Sequence, residues 1–196
     1  MTRMTSDAAR LVREIFAETI RLHEQVAANV DAVVHASEAM VKALEQGRKV
    51  LAFGNGGSAA DAQHLAAELV GRFVRERQAL AAVALSTDTS VLTSIGNDYG
   101  FERVFTRQIE ALGAAGDVAV AISTSGSSPN VLAACRAARE RGLTVIALTG
   151  RDGGELGRLA DIHLNVPHAS TARVQEVHRT LLHVICELVE REMSNL

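Results

Sequence analysis

The sequence predicts an α/β fold: a doubly wound, five-stranded parallel sheet sandwiched by helices, with an N-terminal helical extension. Five short runs rich in Val, Ile, Leu and Ala recur along the chain, and continuous apolar runs are typical of strands buried on both faces of a parallel sheet. Helical patterns separate most of these runs, an alternation typical of doubly wound sheets. We expect one domain over residues 1–196, with the extension at 1–47 and the sandwich at 48–196.

The individual elements follow from the spacing of apolar residues. From about residue 6 to residue 46, apolar side chains recur three and four positions apart, which predicts helix with a break at 29–31. The predicted strands are residues 49–54, 80–86, 117–123, 143–150 and 161–166. The predicted helices that follow are residues 58–74, 101–113, 128–141 and 170–193.

The composition argues against several classes of function. Lys plus Arg total 20 and Asp plus Glu total 23, and no segment concentrates basic residues as a nucleic-acid surface does. The N-terminus carries acidic residues, unlike a signal peptide, and no apolar run approaches the roughly 18 residues of a membrane span. Cys135 and Cys186 lie among apolar residues, which predicts buried free thiols. We expect a cytoplasmic protein without direct membrane or nucleic-acid binding.

Three predicted strands end in loops rich in small polar residues, at 54–58, 123–130 and 149–155. Ligands of open α/β sheets bind beyond the carboxyl ends of the strands, so these loops are expected to share one edge. The third loop is equally compatible with a simple turn into a helix, with Glu155 in its first turn.

The second of these loops has the composition of a phosphate site. Gly126 permits a tight turn, and Ser128 is placed to cap a helix that begins at Pro129. The N-terminus of such a helix attracts anions. A plain helix cap needs a single hydroxyl, but this loop offers several, among them Ser123, Thr124, Ser125 and Ser128. Because no Walker lysine follows, a sugar phosphate is the preferred ligand.

A line of polar residues crosses the first helix of the predicted sandwich. Asp61, His64, Glu68 and Arg72 stand at offsets of 0, 3, 7 and 11, which places them on one face among Ala and Leu. One explanation is the solvent-exposed face of an amphipathic helix. The last helix repeats the pattern, however, because Gln175 and His183 lie eight residues apart, about 80° around the helix axis, on a face that includes Arg179.

These polar faces contain the donors of a metal site. His64 and Glu68 have the i, i+4 spacing that lets two side chains bind one ion. Gln175 and His183 would complete a set of four N and O ligands. Zn²⁺ fits this set, and Ni, Mn and Fe fit the same donor types.

Five segments together resemble the bacterial phosphoheptose isomerases, a family of sugar-isomerase (SIS) domain proteins with a flavodoxin-like sandwich. The segments are residues 54–73, 87–105, 121–132, 148–156 and 174–190, in the order and spacing of the family. The resemblance implies an aldose–ketose isomerase that converts D-sedoheptulose 7-phosphate to D-glycero-D-manno-heptose 7-phosphate. That reaction is the first step towards the ADP-heptose of lipopolysaccharide core or capsule.

The resemblance also implies roles for individual residues. The acid–base pair falls on Glu68 and His183, and one Zn²⁺ per subunit falls on His64, Glu68, Gln175 and His183. The implied substrate contacts are Asn55, Gly56, Gly57, Glu68, Asn97, Asp98, Ser123, Thr124, Ser125, Ser128 and Gln175.

A homotetramer is expected from the excess of apolar surface. The N-terminal helices carry more apolar residues than one sheet face can bury, and the last helix is apolar around most of its circumference. The family adds the number of four subunits, with His183 expected to reach a neighbour's His64 and Glu68.

Two binding proteins with this fold are the alternatives. One is the tetrameric SIS-domain protein that binds the replication initiator DnaA. That protein shares most of the loops of this sequence but has other residues at the positions of Glu68 and His183. The other is a regulatory domain that senses sugar phosphates, which would leave the Glu68–His183 pair unexplained.

Overall fold

Five strands form one parallel sheet in the computed structural model, which describes residues 3–194. The strands are β1 (Val50–Gly54), β2 (Ala82–Ala84), β3 (Val118–Ser123), β4 (Thr144–Gly150) and β5 (Ile162–Val166), in the order β2-β1-β3-β4-β5. The predicted five-stranded parallel sandwich is confirmed. The order reverses between β1 and β3, and such a switch point is where flavodoxin-like sheets bind ligands.

Eight α-helices lie within the described residues, and a 3₁₀ turn covers Phe101–Arg103. The helices are α1 (Arg3–Ala27), α2 (Asp31–Glu45), α3 (Gly57–Val70), α4 (Thr89–Tyr99), α5 (Thr106–Leu112), α6 (Pro129–Glu140), α7 (Gly154–Leu159) and α8 (Thr171–Met193). None of these helices combines the length and the apolar character that crossing a membrane requires.

The sheet is buried on both faces because its strands are apolar at consecutive positions. All residues of β1 and β3 are buried, and alternate side chains enter two separate cores. One core packs α2, α3 and α8 against the sheet, and the other packs α5, α6 and α7. α1 contributes only Leu22 to the buried core among its described side chains, and both cysteines are buried free thiols.

Helix α4 was not predicted, and the predicted helix at 101–113 is shorter. α4 has no fully buried residue, and only Leu92 and Ile95 pack, partly buried, against the second core. Its start has a local signal nevertheless, since the side chain of Asp88 accepts a hydrogen bond from Val91 N at 2.9 Å. The predicted 101–113 helix begins instead as the 3₁₀ turn, and α5 follows it.

Helices α3 and α8 start at the same edge of the sheet and run in the same direction, because each follows a strand of one parallel sheet. Their C-terminal ends are joined by Glu190, which is 1% exposed. Its carboxylate accepts hydrogen bonds from the backbone N–H groups of Phe73, Val74 and Arg75 at 2.8–2.9 Å. It also lies 3.5 Å from Nε of the buried Arg77. Glu190 therefore attaches the segment that follows α3 to helix α8.

Glu190→Gln should lower the free energy of unfolding by about 3–5 kcal/mol, because it leaves the buried charge of Arg77 without its partner. Urea unfolding at pH 7 measures the change. The matched control is Glu187→Gln, which removes an exposed pair with Arg191 on the same helix and should cost less than about 1 kcal/mol. Equal unfolding midpoints for the two variants would contradict this role.

The same pair predicts a pH dependence. Burial raises the pKa of Glu190, but the three backbone donors and Arg77 outweigh it, and the net shift is downward. A carboxyl with a lowered folded-state pKa adds stability above its unfolded pKa of about 4.3, and that stability is lost as the pH falls through the folded value. The stability gap between wild type and Glu190→Gln should therefore narrow in acid.

Candidate active site

A cavity of about 310 Å³ opens at the switch point of the sheet. The loop after β1 forms one wall, the loop after β3 forms another, and the start of α8 closes the site. Its lining residues are Asn55, Gly56, Gly57, Ser58, Ile122, Ser123, Thr124, Ser125, Ser128, Thr171 and Gln175. No Lys or Arg is among them, so an anion here is bound by hydroxyl, amide and backbone N–H groups. Such donors suit a phosphate monoester.

Three of the four serines of the second loop converge on one point. Ser123 Oγ lies 3.1 Å from Ser128 Oγ and 3.4 Å from Ser125 Oγ. Ser128 occupies the N-cap position of α6, as predicted, but its side chain makes no capping hydrogen bond to the helix. The predicted cap is therefore wrong in this respect, because the hydroxyl turns towards Ser123. The first-turn N–H groups of α6 are left for a ligand.

The loop between β4 and α7 packs against the second loop, residues 123–130, which we call the serine loop. Gly126 has a φ of +63°, and a Cβ on it would overlap the carbonyl oxygen of Gly153. Leu156 N donates to the Gly126 carbonyl at 2.9 Å. The third sequence loop is thus a turn into α7, with Glu155 in its first turn paired with Arg136.

The loop that follows β1, which forms one wall of the cavity, contacts two side-chain amides that belong to α6 and α8. A Cβ on Gly57 would overlap the amide of Gln175, so glycine allows α3 to approach α8 at this level. Asn55 and Asn130 form two reciprocal amide hydrogen bonds, each 2.9 Å long. Sequence reasoning missed Asn130, whose only signal is an amide in the first turn of the helix after the serine loop.

A second group of polar side chains lies further along α3 and α8. Nε2 of His64 is 2.7 Å from Nε2 of His183 and 3.3 Å from Oε1 of Glu68. Candidate ligand atoms of all three residues lie within 4.8 Å of one another. His183 therefore reaches His64 and Glu68 of its own chain, and the expectation that it reaches a neighbour's is wrong. The parallel course of α3 and α8 brings the residues together.

The donor set fits a zinc ion. Two atoms bound to one Zn²⁺ at about 2.0–2.1 Å lie roughly 3.3 Å apart, which is the separation between His64 and Glu68. The two imidazoles, at 2.7 Å, share a hydrogen bond and would have to separate by about half an ångström to bind the same ion. Gln175 lies two turns earlier on α8, against Gly57.

The surroundings favour the neutral form of His64. Burial lowers the pKa of His64, the charge of Arg179 lowers it further, and Glu68 opposes both effects. A neutral imidazole is the form that binds a metal or accepts a proton. In the 2.7 Å contact between the two Nε2 atoms, one imidazole donates and the other accepts.

Two of the residues implied by the family resemblance lie outside this arrangement. Asn97 and Asp98 are exposed on α4, where the side chain of Asn97 donates to that of Asp98 at 2.7 Å. Neither lines the cavity at the switch point.

Comparison with known proteins gives a consistent result. The SIS domain family model matches residues 14–150. The phosphoheptose isomerase of Neisseria meningitidis serogroup B is 56% identical over 179 residues, which cover 89% of this chain and 91% of the relative. This chain belongs to the phosphoheptose isomerase family of SIS-domain proteins.

Further relatives agree with this assignment. The phosphoheptose isomerase of Citrifermentans bemidjiense is 59% identical over 162 residues, covering 83% of this chain and 84% of the relative. The solved structure of the phosphoheptose isomerase from Neisseria gonorrhoeae superimposes with a TM-score of 0.89 at 52% identity, covering 94% of this chain and 99% of that one. The family predicted from the five sequence segments is confirmed.

Ser125→Ala should weaken the binding of inorganic phosphate by about 1–3 kcal/mol, because one hydrogen bond to a charged ligand is lost. Isothermal titration calorimetry measures the dissociation constant. Ser127→Ala is the comparison, since Ser127 is exposed and does not line the cavity. Its hydroxyl donates to Oγ of Ser125 at 3.1 Å, so Ser127→Ala should weaken phosphate binding less than Ser125→Ala does. Equal affinities for wild type and Ser125→Ala would remove Ser125 from the phosphate site.

Proposed function

We propose that this protein is a cytoplasmic aldose–ketose isomerase that converts D-sedoheptulose 7-phosphate to D-glycero-D-manno-heptose 7-phosphate. The observation that carries the proposal is the His64–Glu68–His183 group, which follows the phosphate-type cavity along the same pair of helices. The 56% identity to the phosphoheptose isomerase of Neisseria meningitidis supports the choice of substrate. The product would supply heptose for lipopolysaccharide core or capsule.

The chemistry requires an acid and a base beside C1 and C2, the two adjacent carbons between which the hydrogen moves. One group removes a proton from C1 while O2 receives a proton, which gives an enediol. A proton then leaves O1, and C2 receives one, which completes the aldose. Glu68 and His183 are the proposed pair, because both are half-buried and both lie beside His64. The cavity at the switch point would hold the phosphate two turns away, so the reacting carbons are positioned by the far end of the substrate.

We further propose that His64, Glu68, Gln175 and His183 hold one Zn²⁺ per subunit. The first, second and fourth of these already lie together, and Gln175 would have to extend its side-chain amide from beside the phosphate-type cavity to complete the set. Bound Zn²⁺ would act as a Lewis acid towards the carbonyl oxygen. His64 and Gln175 are the two residues of the set without a proposed proton-transfer role. The lowered pKa of His64 keeps it available as a ligand near neutral pH.

The test is turnover of sedoheptulose 7-phosphate by the purified protein, with and without a chelator and with Zn²⁺ restored. Glu68→Gln should keep the fold and lose roughly 10²–10⁴ in kcat, the usual contribution of a positioned acid–base group. In deuterated water, deuterium should enter C2 of the product. Product without deuterium would replace the enediol with a hydride shift, and near-full activity of Glu68→Gln would exclude that residue from proton transfer.

The DnaA-binding alternative has a clear signature in the same assay. Failure to turn over the sugar phosphate in either the chelated or the metal-restored protein would favour a binding protein. The presence of both Glu68 and His183 supports the enzyme instead.

We also propose a homotetramer in which neighbouring subunits complete each site. An apolar groove of about 360 Å³ lies between α1, α2 and α8, and Val30, Val34 and Val184 on its walls are 41–56% exposed. Helix α4 carries Asn97 and Asp98 and has no buried residue within the described chain. Burial of α4 by a second copy would bring these two residues to a site that their own chain does not reach.

Mixing subunits tests this arrangement. Glu68→Gln and Asp98→Ala should each be nearly inactive alone, and subunit exchange should restore up to about a quarter of the activity if each site draws on two chains. A mixture of Glu68→Gln with His183→Ala is the control, and it should recover nothing because both residues act within one chain. A fully active monomer by light scattering would contradict the proposal.

A further inference from the structure

Arg179 stands midway between the two functional parts of the site. On α8 it lies four residues after Gln175, which lines the phosphate-type cavity, and four before His183. Residues at this spacing share one helix face, and the distance along the axis from Gln175 to His183 is about 12 Å. A sugar phosphate that reaches from the cavity to Glu68 and His183 has to pass over Arg179.

The guanidinium of Arg179 is fixed on one edge. Its Nε and Nη2 donate to Oδ1 of Asp61 at 3.0 and 2.7 Å. Asp61 is 3% exposed, one turn before His64 on α3, so the carboxylate is held by the helix that carries His64 and Glu68. The Arg179 side chain is 42% exposed, and no described residue accepts a hydrogen bond from its Nη1.

The charges of the pair indicate which ligand it suits. Asp61 neutralises Arg179, so the pair offers N–H donors without a net positive charge. A second phosphate would find no excess charge there, whereas neutral hydroxyls accept such hydrogen bonds well. The buried Oδ2 of Asp61 has no partner among the described residues, and both hydrogen bonds from Arg179 go to Oδ1.

We propose that Arg179, oriented by Asp61, is a specificity-determining residue that binds hydroxyl groups in the middle of the sugar chain. This inference rests on the proposed function, because it takes the same substrate between the same two ends. Loss of a hydrogen bond between a charged donor and a hydroxyl weakens binding by about 10- to 100-fold.

Calorimetry with two probes, sedoheptulose 7-phosphate and inorganic phosphate, tests the proposal. Arg179→Met should weaken sedoheptulose 7-phosphate binding by about 10- to 100-fold and leave phosphate affinity within about twofold, and Arg179→Lys should lie between wild type and Arg179→Met. The double variant Asp61→Asn/Arg179→Met removes both charges, so it gives the same comparison without an unpaired buried carboxylate. Arg191→Met, on the same helix and exposed, is the control.

The outcomes separate the possible roles. Unchanged sugar-phosphate affinity in Arg179→Met and in the double variant would overturn the proposal. Equal losses for both probes would also overturn it, since they would mean that Arg179 only maintains the shape of the site. Asp61→Asn should reproduce the loss seen in Arg179→Met if the carboxylate orients the guanidinium. If wild type binds sedoheptulose 7-phosphate but does not isomerise it, the proposed function fails while the role of Arg179 stands.

Discussion

Because β1 and β5 point to the same edge of the sheet, α3 and α8 begin side by side and run parallel. Their contact has three successive levels, Gly57 with Gln175, Asp61 with Arg179, and His64 with His183. Each level lies about one turn further along both helices than the one before. The phosphate-type cavity, the Asp61–Arg179 pair and the acid–base group therefore form a line. A shift of one helix by one turn would separate all three pairs, and the function of the site therefore depends on this register.

The two ends of the site use different physical means. At the sheet edge, the serine loop relies on hydroxyls and on the N-terminus of α6, and its shape is set by the contact of Gly126 with Gly153. At the far end, side chains of α3 and α8 supply titratable groups, and burial together with the charge of Arg179 lowers the pKa of His64. Backbone donors are rigid and suit a constant anion, whereas imidazole and carboxylate suit proton transfer.

Polar groups between two packed helices cost free energy unless they are paired. Here Asp61 pairs with Arg179 across the middle of the α3–α8 contact, and Glu190 pairs with Arg77 and three backbone N–H groups at its end. Such pairs add little net stability compared with apolar packing, but they tolerate only one register of the two helices. We infer that they align the helices, while the apolar cores hold them against the sheet.

The sequence by itself determined the parallel sandwich, the family and the pairing of His64 with Glu68. Apolar runs, helical periodicity and the i, i+4 spacing are local properties that survive without a structure. Only the tertiary structure decided that α4 forms a helix with no buried residue, that Ser128 turns to Ser123, that His183 joins its own chain's His64, and that Asp61 holds Arg179. Each of these depends on contacts between residues distant in sequence or on competition between alternative hydrogen-bond partners, and sequence spacing carries no information about which partner prevails.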